Sequence, residues 1–104
     1  MENQQMENQK VTVVARIKAK PGKEAQVKQV LSKLLSPTRL EAGCINYDMH
    51  ESSDNPAHFL FHENWTSQEA LNKHLETAHL KNFLNQADQL LEEPVEITLW
   101  KQVI

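Results

Sequence analysis

The chain has 104 residues, 11 basic and 14 acidic, a formal net charge of -3 and no basic run. This length fits one domain that buries about 60 to 65% of its unfolded surface, and the charge balance argues against nucleic acid as a partner. Apolar runs far shorter than the roughly 18 residues of a membrane span exclude that class as well.

No charged-then-apolar signal peptide opens the sequence, so a soluble, cytoplasmic protein is expected. The single cysteine, Cys44, cannot form a disulfide within the chain and reads as a small buried side chain. Met1-Glu-Asn-Gln4 is repeated as Met6-Glu-Asn-Gln9. These polar residues lack a hydrophobic period and read as a disordered leader over 1–9, with Met1 and Met6 both open as starts and the domain occupying 10–104.

Lys10 to Lys20 alternates, placing Val11, Val13, Ala15, Ile17 and Ala19 on one side of a half-buried strand. Pro21-Gly22 ends it. From Lys23 the spacing changes to Val27, Val30, Leu31, Leu34 and Leu35, the stripe of an amphipathic helix. Pro37 ends or kinks that helix near Ser36, and Ser36-Pro37 offers a cap and first position for a second short turn. After Gly43 a strand over Cys44 to Ser52 puts Ile45, Tyr47 and Met49 on one face and Asn46, Asp48 and His50 on the other. The turn Ser53-Asp-Asn-Pro56 then predicts an antiparallel hairpin with His58 to Trp65.

In that second hairpin strand, Phe59, Phe61, Glu63 and Trp65 share a face. Glu63 is its odd member. A carboxylate among buried rings must be hydrogen-bonded, protonated or at a cavity, because isolated charge is costly to bury. Thr66 or Ser67 caps the next helix, whose stripe is Ala70, Leu71, His74, Leu75 and Ala78, continued from His79 by Phe83, Leu84, Ala87, Leu90 and Leu91. Pro94 stops it. A last strand places Val95, Ile97 and Leu99 opposite Glu96, Thr98 and Trp100.

The order strand, helix, strand, strand, helix, strand predicts an α+β, ferredoxin-like βαββαβ fold, a four-stranded antiparallel sheet with helices on one face. The strand faces carrying Val13, Ala15 and Ile17, Ile45 and Tyr47, Phe59 and Phe61, and Ile97 and Leu99 should meet the helices. Val14, Leu60 and Trp100 fall on the other face. A second copy covering that face would give a symmetric homodimer, the alternative being a solvated outer face.

His74 lies on the inward stripe and with Glu63 and Trp65 could wall a pocket between sheet and helices. An imidazole and a carboxylate there suit general acid-base work, or they satisfy each other as a structural hydrogen bond. Tyr47 aims at the same cavity or keeps its hydroxyl at the core rim. His79 stands at a junction between two helical pieces. His50 joins the pocket only if a bulge re-aims it. A metal site is not expected: His58 and His62 are roughly 13 Å apart along one strand, and His74 and His79 fall on different faces of a continuous helix. Nor is there a Gly-rich phosphate loop or a nucleophile triad with supporting spacing.

Cys44-Ile-Asn-Tyr47, the run Phe59 to Trp65, Ser67-Gln-Glu-Ala-Leu71, His74, His79 and Phe83 together resemble the antibiotic biosynthesis monooxygenase domain family, of the small quinol-monooxygenase-like type. The resemblance covers about Val11 to Trp100. It implies a dimeric α+β barrel that oxygenates a quinol or other hydroxyaromatic molecule with O₂, without flavin, haem or metal. It casts Glu63 or His74 as the base, Trp65 as a stacking wall and Tyr47 or His79 as a donor, with His50, Phe61 and Phe83 completing the substrate pocket. Trp65 and His50 match a pocket tryptophan and histidine of the oxygenase branch, whereas a pocket asparagine of that branch falls at Phe61. Leu84 stands where the haem-degrading branch has its histidine ligand, which disfavours haem. The alternatives are a non-catalytic ligand-binding or stress-associated dimer and an isomerase of the same fold. The branch that isomerises a phosphorylated sugar would need a cationic clamp on the pocket.

Overall fold

The computed structural model describes residues 9–104; the expected leader, apart from its last residue, lies outside them. The elements are β1 (Val11–Lys18), α1 (Glu24–Ser32), α2 (Leu35–Arg39), β2 (Cys44–Glu51), β3 (His58–Trp65), α3 (Gln68–Leu75), α4 (Ala78–Leu90) and β4 (Glu96–Trp100). The strands form one antiparallel sheet in the order β2-β3-β1-β4, the ferredoxin-like arrangement. Its helix-facing side is the side the alternation assigns. Val13, Ala15 and Ile17 of β1 and Phe59, Phe61, Glu63 and Trp65 of β3 are all buried. They pack under Val27 and Leu31 of α1, Leu71 of α3 and Leu80 and Phe83 of α4. Each fully buried large side chain contributes about 1.5–3 kcal/mol.

Local chemistry explains several boundaries. Gly22, at φ +86°, supplies the left-handed turn after β1 that leads into α1. Ser67 caps α3 by accepting from the Ala70 N–H, and Thr77 caps α4 by accepting from the Leu80 N–H. The first helical region breaks earlier than Pro37 implies. Leu34 already bonds back to Leu31 in a tighter turn, and Pro37 sits inside the first turn of α2, where its missing N–H removes no helical bond. Ser36 is therefore not a cap.

Two apolar expectations fail for identifiable reasons. Cys44 pairs with Trp65 and Asn46 with Asn64, so Ile45 is the extra residue of a β-bulge. The bulge turns Ile45 outward to 53% exposure and lets Cys44 share the inner face with Tyr47 and Met49. On β4, Ile97 pairs with Ala15 and Leu99 with Val13, which puts both on the helix side. They are nonetheless 46% and 54% exposed, because β4 is the sheet edge and the helices pack over its neighbours. No helix among the described residues is long and apolar enough to cross a membrane.

Candidate functional site

A small cavity of about 40 Å³ lies between the helices and the sheet, bordered by Tyr47, Phe61, Glu63, His74 and Phe83. Leu75, Leu84 and Ile97 border it too, and all three are partly solvent-exposed, so they form its rim. The space is close to that of one water molecule. No lysine or arginine is among its lining residues.

Glu63 is 4% exposed and accepts a hydrogen bond at Oε1 from the Trp65 indole Nε1 at 2.9 Å. Burial pushes its carboxyl up to about 7, the indole bond pulls the other way, and the charge of Glu41 adds to the rise. This acid can therefore hold or release a proton near neutrality. Tyr47 is Glu63's cross-strand partner and stacks on Phe61 at 4.7 Å between centroids. Burial, then the Glu63 charge, drives its phenol upward, so the hydroxyl stays a donor. Arg39 of α2 fixes this part of β2, its Nε donating to the Tyr47 carbonyl at 3.0 Å. The Thr38 hydroxyl next to Tyr47 is wholly buried yet outside hydrogen-bond geometry with any described residue.

His74 is buried, with its ring 4.6 Å from that of Trp65 and 5.5 Å from that of Tyr47. Burial lowers its pKa more than Glu41 raises it. Its Nδ1 lies 2.9 Å from Glu41 Oε2, and His79 Nε2 meets the same oxygen at 2.6 Å. An ionised carboxylate only accepts, so a neutral His74 donates through Nδ1 and keeps its lone pair on Nε2.

Glu41 was not legible in the sequence, because it lies in a loop with no hydrophobic period to orient it. Gly43 brings that loop close. At φ +86° its Cα packs where a Cβ would stand 2.5 Å from Ala70 Cβ and 2.8 Å from Thr66 Oγ1. The only signal for Glu41 was indirect: an inward His74 needs a hydrogen-bond partner.

Several expected placements need correction. His79 is not on a separate face from His74, since α3 ends at Leu75 and α4 begins at Ala78. The Thr77 hydroxyl bonds the His74 carbonyl at 2.8 Å, and the resulting turn swings His79 onto Glu41. The spacing argument against a close ligand cluster fails with it. Trp65 is fully buried and backs the cavity through Glu63 and His74 instead of lining it. His50 pairs with Leu60 and stays on the open face of the sheet. There it borders a larger groove of about 670 Å³ with Arg16, His58, Glu93 and Glu96. Of the two, the smaller cavity is the one where a buried acid with a raised pKa meets a buried imidazole.

The family model described as antibiotic biosynthesis monooxygenase matches residues 10–86. The chain belongs to this family. Among family relatives, Rv0793 of Mycobacterium tuberculosis, whose name proposes it as a monooxygenase, is 36% identical over 86% of this chain and 87% of its own length. The crystal structure of PA3566 from Pseudomonas aeruginosa superposes with a TM-score of 0.88 at 31% identity, covering 94% of this chain and 98% of that one. The Synechocystis protein sll1783 is 33% identical over 88% of this chain, which spans only 62% of that relative's length.

Proposed function

We propose that this family member is a cofactor-independent monooxygenase that oxidises a quinol or other hydroxyaromatic molecule with O₂, acting as a cytoplasmic homodimer. The observation that carries the reading is Glu63, an acid poised near pH 7, on one cavity with a His74 that burial keeps neutral and so able to accept a proton. Either group, Glu63 as carboxylate or His74 through Nε2, takes the phenolic proton. The electron-rich aryl oxide then reduces O₂, and recombination at ring carbon gives a hydroperoxide. Loss of water leaves the quinone, so ArOH and O₂ balance against quinone and H₂O. The Tyr47 hydroxyl serves as a donor to the oxyanion, and the apolar walls exclude solvent. A ring cannot enter a gap of about 40 Å³, so the rim of Leu75, Leu84 and Ile97 moves apart on binding. Phe61 and Phe83 then flank the substrate.

The test is oxygen uptake with a menadiol-like quinol, corrected for spontaneous oxidation, in wild type, Glu63→Gln and His74→Ala. We expect catalysis in wild type and a drop of about 10²-fold or more when the responsible base is lost. A wild-type rate equal to background overturns the proposal. The rival is a non-catalytic binding protein, which saturable binding of an aromatic ligand without turnover would establish. Turnover that persists without oxygen would instead indicate an isomerase, a reading weakened by the missing cationic clamp.

A further inference from the structure

Glu41, His74 and His79 come from three separate segments, yet Glu41 Oε2, His74 Nδ1 and His79 Nε2 all lie within 4.8 Å of one another. Their burial is graded: the side chains of His74, Glu41 and His79 are 3%, 13% and 25% exposed, so the cluster runs from the interior towards solvent. Among the described residues, the Glu41 carboxylate hydrogen-bonds only to the two imidazoles. No lysine or arginine pairs with it among the described residues, whose ion pairs lie elsewhere. Its other oxygen, Oε1, makes no hydrogen bond there either, which leaves a further lone pair for a ligand.

Two imidazole nitrogens and one carboxylate oxygen are the donor set of open transition-metal sites, in which water or an exogenous ligand completes the shell. Hard ions such as Mg²⁺ prefer all-oxygen shells and gain little from it. We propose that Glu41, His74 and His79 form a binding site for a borderline divalent transition cation of the zinc type, beside the helix-sheet cavity. The site goes beyond the oxygenase reading and does not depend on it.

Occupancy also has a chemical consequence. A neutral His74 that ligates through Nδ1 carries its one proton on Nε2, so the lone pair it would present as a base becomes an N–H donor. The proton moves from one ring nitrogen to the other through solvent. No net charge leaves the ring. Where His74 is the base, the bound cation switches off turnover without blocking the cavity.

The experiment titrates the untagged full-length chain with Co²⁺, read by its visible absorption, and with Zn²⁺ and Mg²⁺ by calorimetry, in wild type, Glu41→Gln and His79→Ala. One equivalent of Co²⁺ or Zn²⁺ should bind, Mg²⁺ should not compete, and each variant should bind at least about tenfold more weakly. His79 is partly exposed at the start of a helix, so His79→Ala retains the fold even if Glu41→Gln does not; circular dichroism checks both. In histidine ring spectra, Zn²⁺ should shift the resonances of His74 and His79 and leave those of His50, His58 and His62 in place. Absence of saturable uptake, or uptake unchanged in both variants, overturns the proposal. Because the titration reads no turnover, a chain inert towards quinols leaves the cation result standing, and an active one that binds no cation defeats this inference alone.

Discussion

The Trp65 indole donates its N–H to Glu63 Oε1 at 2.9 Å, linking two successive inward positions of β3. It is the only side-chain hydrogen bond to that carboxylate among the described residues, and it stabilises the charged form against burial. Trp65→Phe keeps a ring in the core but removes the donor. We expect the Glu63 midpoint to rise above its wild-type value of about 7. Carbon-13 titration of the labelled Glu63 carboxyl measures this directly, and a midpoint that stays put or falls would show that the indole does not set it.

The same acid makes stability depend on pH. Its folded pKa of about 7 lies above the ordinary 4.5, so the native state holds a proton that the unfolded chain releases across that window. The stability from this proton is complete below pH 4.5 and lost as pH rises through about 7, a cost of about 3 kcal/mol at pH 8. Glu63→Gln removes the titration while leaving an oxygen for the indole. Relative to wild type, it should therefore gain up to about 3 kcal/mol between pH 4.5 and pH 8 in urea unfolding. Parallel pH profiles for the two proteins would contradict the assignment.

Gly43 is a packing device as well as a turn. A Cβ at this position meets Ala70 Cβ at 2.5 Å and Thr66 Oγ1 at 2.8 Å, on a backbone at φ +86°. Gly43→Ala should destabilise the fold by about 2–4 kcal/mol, from left-handed strain plus overpacking. Adding Ala70→Gly relieves the nearest contact. The pair should recover part of the loss despite the roughly 1 kcal/mol cost of glycine in α3. Additive losses in chemical denaturation would mean that the two residues do not touch.

How much of this could be read from the sequence depended on how local the cause was. On β3 the alternation predicted burial residue by residue, because one face packs under helices along its whole length and Glu63 had to be held indoors with the aromatics. On β4 the same reasoning assigned the faces of Ile97 and Leu99 correctly but not their exposure, since an edge position is a property of strand order. Ile45 failed because a bulge inserts one residue without changing composition. The site divides in the same way. Tyr47, Phe61, Glu63, His74 and Phe83 lie on regular elements whose period points them into the cavity. Glu41 reaches its histidines across 33 and 38 positions of chain from a loop, and no period reports that meeting. His79 was placed at a junction of two helical pieces, as observed, but the spacing argument that set it on another face from His74 assumed one continuous helix; Thr77 is a good cap, and a cap there divides it.

The open face of the sheet bears on assembly. Val14 pairs with His62 and Thr98, Leu60 with Arg16, and Trp100 with Thr12, so Val14, Leu60 and Trp100 share the face that no helix among the described residues covers. Val14 and Leu60 are only partly shielded and Trp100 is 59% exposed. A second copy laid on this face would bury all three, whereas two aspartates there would have to be desolvated on association, at a cost of several kcal/mol. We expect wild type to have the mass of two chains by light scattering, and the double variant Val14→Asp, Leu60→Asp to have the mass of one. Both positions face away from the core, so the circular dichroism spectrum should be retained. If wild type is a single chain across the accessible concentration range, or the folded variant keeps the wild-type mass, the homodimer does not form through this face.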